Sequence, residues 1–497
     1  RILGFLRDMV IALTFGAGME TDAYLVAFRI PSMLRRLVGE GALTVAFIPV
    51  FVEQWHQDEQ RAWKFANTVA TLLSLILISI TLLGVLLTPY FVKLIAPGFT
   101  ALPVKFALTT DLTRITFPYI LFISLAALTM GILNSLQHFF APALAPIMLN
   151  ISLIGCAFFL CPYLKPPVTG LAIGVILGGV TQFLFQIPAL IKRGFRYRIS
   201  FDYKNPAVQK VGLLMLPAFF GLAIAQLAVF TDTLFASFLA DGSVAYLFYA
   251  DRLIEFPLGI FGMAVATAVL PTMSTQTAKG EYDQLVEVLS FALRLVLFIM
   301  IPSAVGLIVL RMPIVTTLFQ HGKFTLSAAQ ATSQAVLYYA LGVPAIASNR
   351  VITPVFYSLK DTATPVKCGA AALVMNIIAN ALLIKPLKHG GLALATSLSA
   401  SFNLILLIWL LRKRLGQIGW KSIVRSAGKV SLAAIVMGLS CAPFATQATQ
   451  HLWILLTVML SGAGVFLGCA WLVKSEELLF LKTLVLERFA PINQKQS

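Results

Sequence analysis

Charge is what this chain has little of. Only 11% of its 497 residues are Asp, Glu, Lys or Arg, where a soluble domain carries about 25%. No polar block is long enough to form a sizeable soluble domain, so the nucleotide domain of an ATP-driven pump has no room. Acidic residues are the scarcer sign, 20 against 37 basic, which leaves a net charge of +17. In a membrane protein such an excess reports basic loops and a functional cavity, and nucleic acid is not an expected partner. Cysteine is scarce too. Cys156, Cys161, Cys368, Cys441 and Cys469 lie in or beside apolar segments, and none has zinc-ligand spacing with the five histidines. They read as buried small apolar residues. No phosphate loop, zinc helix or nucleophile elbow occurs, so an enzyme is not expected.

Apolar residues, in contrast, make up 59% of the chain, and the mean hydropathy is +0.89. At roughly 20 apolar residues per span, about fourteen transmembrane helices fit. The expected fold class is all-α, a polytopic membrane protein. The spans fall near 1–16, 21–52, 66–91, 108–134, 141–161, 167–191, 211–239, 244–273, 285–309, 329–357, 364–384, 390–411, 424–444 and 452–472, with an amphipathic tail from Lys474. Lysine and arginine gather in one set of loops, among them Arg61, Lys64, Arg196, Arg198, Lys204 and Lys413. That set is expected to face the cytoplasm, together with both termini. No cleavable signal peptide is visible. The chain starts at Arg1 inside an apolar run, so the natural N-terminus is expected upstream and the first helix incomplete.

The chain repeats itself weakly. Shifted by 222 residues, Tyr24-Leu25 falls on Tyr246-Leu247, Pro49 on Pro271 and Gln54 on Gln276; shifted by 223, Ser135-Leu136 falls on Ser358-Leu359 and Pro142 on Pro365. Two pseudo-symmetric lobes of six helices follow from this, a familiar transporter plan with a midplane cavity. The expected domains are an N-terminal lobe over 1–200, a C-terminal lobe over 201–415, and two further helices with the tail over 416–497. Pro31, followed by Gly39 and Gly41, is expected to break the second span; Pro257 and Gly259 break its repeat mate, the eighth.

Against this background the charges inside apolar stretches carry the most information. Arg1, Arg7, Asp8, Asp22, Arg29, Arg35, Arg36 and Glu40 crowd the first fifty residues, and Arg252 lies in the eighth span. A charge at the bilayer centre costs at least about 2.5–3.5 kcal/mol, so such residues usually face a wet cavity on a substrate path. Arginine dominates, and its planar fork suits phosphate. For any single arginine, snorkelling to the interface or pairing with a neighbouring acid is an equal alternative. Asp22 and Glu40 are the acidic members, placed to orient arginines or to exchange with substrate phosphate; for Asp22 a helix cap is the competing role. A second constellation suits a hard cation. Asp232 lies in the seventh span, Asn376 and Asn380 share one face of the eleventh, and Thr396 lies in the twelfth. A carboxylate, two amide oxygens and a hydroxyl, completed by a backbone carbonyl, could hold sodium. Interhelical hydrogen bonding is the alternative.

Several of these residues carry a family resemblance. Arg1-Ile2-Leu3-Gly4-Phe5-Leu6-Arg7-Asp8, Phe15-Gly16-Ala17-Gly18 with Thr21-Asp22-Ala23, Arg29-Ile30-Pro31, and Leu34-Arg35-Arg36 with Glu40-Gly41-Ala42 resemble the MurJ (MviN) lipid II flippases. Those belong to the multidrug/oligosaccharidyl-lipid/polysaccharide exporter superfamily. Phe117-Pro118-Tyr119, Tyr249-Ala250-Asp251-Arg252 with Glu255-Phe256-Pro257, and Thr364-Pro365-Val366-Lys367 extend the likeness along the chain. The resemblance implies two six-helix lobes plus two helices forming a lipid-facing groove. It also implies a cationic cavity for the lipid II headgroup, in which Arg1, Arg7, Arg35 and Arg252 match essential arginines and Asp22 an important acid. A sodium site is implied at Asp232, Asn376, Asn380, Leu392 (through its backbone) and Thr396.

The expected function is movement of undecaprenyl-diphosphate-linked disaccharide-pentapeptide, lipid II, across the bacterial cytoplasmic membrane by alternating access. Membrane lipid and cell-wall synthesis proteins are the other expected partners. The competing readings are an O-antigen lipid or drug exporter of the same superfamily, a membrane scaffold for cell-wall synthesis, and an enzyme acting on a lipid-linked phosphate. Drug exporters for cations would want an acidic cavity, and a scaffold leaves the buried arginines unexplained.

Overall fold

The computed structural model describes residues 2–36, 43–449 and 451–480, apart from the side chains of 45 and 216–225. Among the described residues there is no strand. In chain order the helices are α1 (Ile2–Phe15), α2 (Met19–Leu34), α3 (Thr44–Gln57), α4 (Glu59–Leu86), α5 (Thr88–Ile95), α6 (Pro103–Thr116), α7 (Tyr119–Ser135), α8 (Phe140–Phe159) and α9 (Thr169–Lys192). They continue with α10 (Pro206–Ser237), α11 (Ser243–Pro257), α12 (Met263–Lys279), α13 (Tyr282–Val309), α14 (Arg311–Phe319), α15 (Leu326–Ser358), α16 (Ala363–Leu415), α17 (Trp420–Cys441) and α18 (Leu452–Leu472).

Local chemistry sets many of these ends. The Asp58 carboxylate accepts from Gln60 N at 2.8 Å and caps α4. Asn205 caps α10 in the same way at 2.9 Å, with Pro206 in the first turn, where its missing N–H costs nothing. Gly280, at φ +75°, closes α12 in the left-handed conformation. Within the apolar bodies, small residues let helices approach. Gly170, Gly174 and Gly178 lie four apart on α9, and a Cβ on Gly178 would come within 2.4 Å of Leu149 on α8.

Ten helical runs among the described residues are long and apolar enough to cross a membrane. The expected spans 364–384 and 390–411 are fused in α16, whose 53 residues would measure about 80 Å if straight. The run is bent instead at Lys388, where φ is 50° and ψ −131°. Arg414 near its end donates to Asp361 just before its start at 2.7 Å, so α16 is two antiparallel spans. The expected spans 1–16, 21–52 and 211–239 correspond to α1, to α2 with α3, and to α10.

Two compact units emerge. The first comprises Arg1–Ala245 with the loop His321–Thr325; the second comprises Tyr246–Gln320 and Leu326–Ser497. Within the first, α10 is tied to the preceding helices: Ser237 Oγ accepts from Gly98 N at 3.0 Å and Lys210 meets Glu53 at 2.7 Å. The repeat places a boundary at 200/201, whereas packing places α10 with the residues before it. The loop His321–Thr325 joins the first unit because Lys323 N donates to Leu13 O at 3.0 Å, at the end of α1. Within the second unit, α17 and α18 pack on α13 and on each other.

The expected break at Pro31 is displaced. Helix α2 continues through Pro31 to Leu34, and the irregularity is a π-helical turn at Arg35 and Arg36. In the repeat mate, a π turn over Leu258–Gly262 follows Pro257 and separates α11 from α12. Both irregular turns come directly after a proline-containing helix, the kind of bulge that recurs at functional sites.

Candidate functional site

In the first unit the arginines arise from α1 and α2. Arg7 donates from Nε (2.9 Å) and Nη2 (2.6 Å) to the adjacent Asp8, whose side chain is 1% exposed. This is the paired arrangement that competes with a free cavity arginine. Tyr24 and Tyr119 are electrostatic neighbours of the same guanidinium. Arg29, three turns into α2 and half-buried, donates to Thr233 Oγ1 on α10. It thereby stands one residue from Asp232, itself half-buried. Arg35 is half-buried in the π turn and Arg36 beside it is exposed. Arg1 and Glu40 lie outside the described residues.

Asp22 behaves differently from the arginines. Its carboxylate is 1% exposed and accepts from Lys105 Nζ at 2.8 Å, Gly242 N at 2.8 Å and Ala245 N at 2.9 Å. Lys105, equally buried, also reaches Asp241 at 2.7 Å and lies 4.0 Å from the Phe99 ring centroid. Asp22 is indeed a cap, but of the first turn of α11 rather than of its own helix. Its lone pairs are engaged by fixed donors, so the geometry supports anchoring over direct contact with a substrate. Lys105 was hidden in the sequence because its partner stands 83 residues away.

In the second unit Arg252 on α11 is half-buried, its Cζ 4.6 Å from the Phe248 ring centroid. Close along the same helix, Glu255 pairs with Arg350 of α15 at 3.0 Å. Arg350 carries the same signal as the other arginines, a charge within an apolar helix, and a search of α15 for it would have found it. Of the expected cation ligands, Asn376 and Asn380 are buried on the first span of α16, with Asn380 Nδ2 donating to Asn376 Oδ1 at 3.0 Å. On its second span the Thr396 hydroxyl donates to Leu392 O at 3.1 Å. The set is all oxygen and amide, the donor chemistry a hard cation prefers, and no cluster of three His, Cys, Asp or Glu occurs among the described residues. Asp232 belongs to the first unit and the other four residues to the second.

One comparison decides which family these helices belong to. The sequence model of the family described as lipid II flippase MurJ matches residues 11–464. The chain belongs to the MurJ family. A probable lipid II flippase MurJ of Vibrio cholerae serotype O1 is 41% identical over 416 residues, 82% of this chain and 79% of that protein. The lipid II flippase MurJ of Burkholderia cenocepacia is 37% identical over 419 residues, 83% and 81% of the two chains. Among solved structures, a lipid II flippase MurJ in an inward closed conformation superposes with a TM-score of 0.81 at 29% identity, covering 97% of both chains. An inward-facing multidrug resistance MATE transporter superposes at 0.69 with 17% identity, over 84% of this chain and 94% of that one. That second likeness concerns the fold alone. MurJ membership and the apolar runs make this a multi-pass membrane protein.

Proposed function

We propose that this protein is a lipid II flippase, carrying the undecaprenyl-diphosphate-linked peptidoglycan precursor from the inner to the outer leaflet of the cytoplasmic membrane by alternating access. The observation that carries the reading is the set of guanidiniums held half-buried in apolar helices: Arg29 and Arg35 on α2 and its π turn, and Arg252 on α11. Charges kept in such places usually face a bundle interior or a water-filled cavity and mark a substrate path. A diphosphate offers pairs of negatively charged oxygens to the planar arginine fork. Arg7 joins this set as a member already paired with Asp8, so a bound diphosphate would compete with that carboxylate.

The test is translocation of labelled lipid II in vesicles holding the purified protein. Arg252→Ala should slow it by about tenfold to a hundredfold, the worth of a hydrogen bond to a charged group, while the protein still inserts and melts normally. Arg252→Lys should recover part of the loss. Wild-type rates in Arg252→Ala would overturn the proposed role of the cations.

Sodium is the proposed coupling ion, with Asp232, Asn376, Asn380, Thr396 and the Leu392 carbonyl as its ligands. These residues would supply oxygen donors and a single counter-charge. The basic loops and both termini are proposed to face the cytoplasm. Cell-wall synthesis proteins are proposed as partners on that face.

A further inference from the structure

Outside the arginine set, the first unit carries a basic groove at the head of α4. It encloses about 510 Å³, within the range of small-molecule sites. Arg61 and Lys64 line it from α4, Gln54 from α3, and Asp202, Lys204 and Asn205 from the segment leading into α10. Lys64 meets Asp202 at 3.2 Å and Arg61 meets Asp58 at 3.7 Å. With Arg196 and Arg198 nearby in the chain, the cations outnumber these two carboxylates.

The segment beside the groove is built in an unusual way for a loop. Between α9 and α10 its main chain is strapped along α4. Asn67 donates to Arg196 O and accepts from Arg198 N, both at 3.1 Å. Ser200 N donates to Thr71 Oγ1 at 3.3 Å, and the Ser200 and Thr68 hydroxyls lie 2.7 Å apart. The Tyr197 hydroxyl adds a contact to Thr71 Oγ1 at 3.2 Å. The odd-numbered side chains, Tyr197, Ile199, Phe201 and Tyr203, are 54%, 70%, 58% and 61% exposed. From Ile199 on, apolar side chains alternate with polar ones, and Ile199, Phe201 and Tyr203 are turned outward.

Exposed aromatic and aliphatic side chains on a basic strap are costly in water and favourable at a membrane interface, where tyrosine sits at headgroup depth. The strap lies where α4 changes character: its ties run from Thr71, in the apolar run of the helix, towards Lys64 in its polar first turns. A free inorganic anion would be served by the groove alone and leaves Ile199, Phe201 and Tyr203 without a role. Basic pockets beside transmembrane helices suit anionic headgroups. We infer that this groove and strap form a binding site for an anionic phospholipid of the leaflet facing the basic loops. Arg61, Lys64 and Lys204 receive its phosphodiester, Asn205 and Gln54 bond its headgroup hydroxyls, and Ile199, Phe201 and Tyr203 lie against its upper acyl chains. Asp202 holds Lys64 in place and disfavours a second anion.

The inference is tested by native mass spectrometry of the full-length protein, offered phosphatidylglycerol and phosphatidylcholine of matched acyl chains. Wild type should retain phosphatidylglycerol in preference. Arg61→Gln with Lys204→Gln should lower that retention about tenfold or more, leave phosphatidylcholine unchanged, and preserve the melting temperature, because both side chains are exposed. Arg61→Lys with Lys204→Arg should keep the preference. Phe201→Ser with Tyr203→Ser should lower retention of both lipids. Undiminished retention in the charge-neutral variant would overturn the site. Displacement of the lipid by an equal concentration of glycerol 3-phosphate would also overturn it, assigning the groove to a free anion.

Discussion

Asp22 and Lys105 form the most consequential pair at the residue scale. Each is 1% exposed, and their contact holds α2, α6 and the first turn of α11 at one point. A buried pair is weak evidence of net stabilisation, yet removing one partner strands the other and typically costs about 3–5 kcal/mol. Asp22→Ala would leave a buried ammonium facing only Asp241, and two main-chain N–H groups without an acceptor. Lys105→Met would leave a carboxylate still served by two amides, so it should cost less. Denaturation in detergent should show Asp22→Ala melting far below wild type and the double variant no worse than Asp22→Ala alone. Additive losses would mean that the two side chains are not coupled. The sequence singled out Asp22 as an unusual acid but could not say why, because the donors that saturate it come from positions 105, 242 and 245. The arginines were easier to read: a charge in an apolar run identifies itself without its partner.

At the scale of elements, long apolar runs marked most of the long helices, and proline and glycine marked where helices loosen. What they misjudged was the exact seat of the first irregularity. Pro31 sits inside an intact helix and the π turn follows at Arg35; a proline crowds the carbonyl four residues before it and so does not by itself seat a break after it. The α16 hairpin shows how chain order hides packing. Asp361 precedes the first span and Arg414 ends the second, and their contact at 2.7 Å pins the two ends together. The Thr364 N–H and hydroxyl, with Arg414 beside them, hold the Asp361 carboxyl below its usual range. A group depressed in this way stabilises the fold above its unfolded value, about 3.9 for Asp. That contribution disappears as pH falls through the lower, folded value. Asp361→Asn should therefore melt below wild type at pH 6, with the gap closing as the pH is taken below 4. A gap of equal size at both pH values would point to lost geometry rather than lost charge.

For the molecule as a whole, the excess of basic residues that makes the net charge +17 bears on turnover. A cycle that releases a diphosphate removes two or more negative charges from beside its arginines, so the carrier that returns is more positive than the loaded one. An inside-negative potential acts on any uncompensated cation that moves with it, at about 2.3 kcal/mol per elementary charge per 100 mV for a full crossing. Even a third of that crossing amounts to roughly a factor of four in rate. The sodium account places the drive elsewhere, on the Asp232 carboxylate and the oxygens of Asn376, Asn380, Leu392 and Thr396. The two accounts separate in vesicles of defined orientation. With a potassium diffusion potential and no sodium, lipid II turnover should rise as the potential becomes more negative on the side of the basic loops, in wild type and in Asp232→Ala alike. A sodium gradient should then add to the wild-type rate and do nothing for Asp232→Ala. Turnover indifferent to potential would remove the electrical drive. An Asp232→Ala variant that still responds to sodium would remove the ion site, and the arginine set would stand or fall separately on Arg252→Ala.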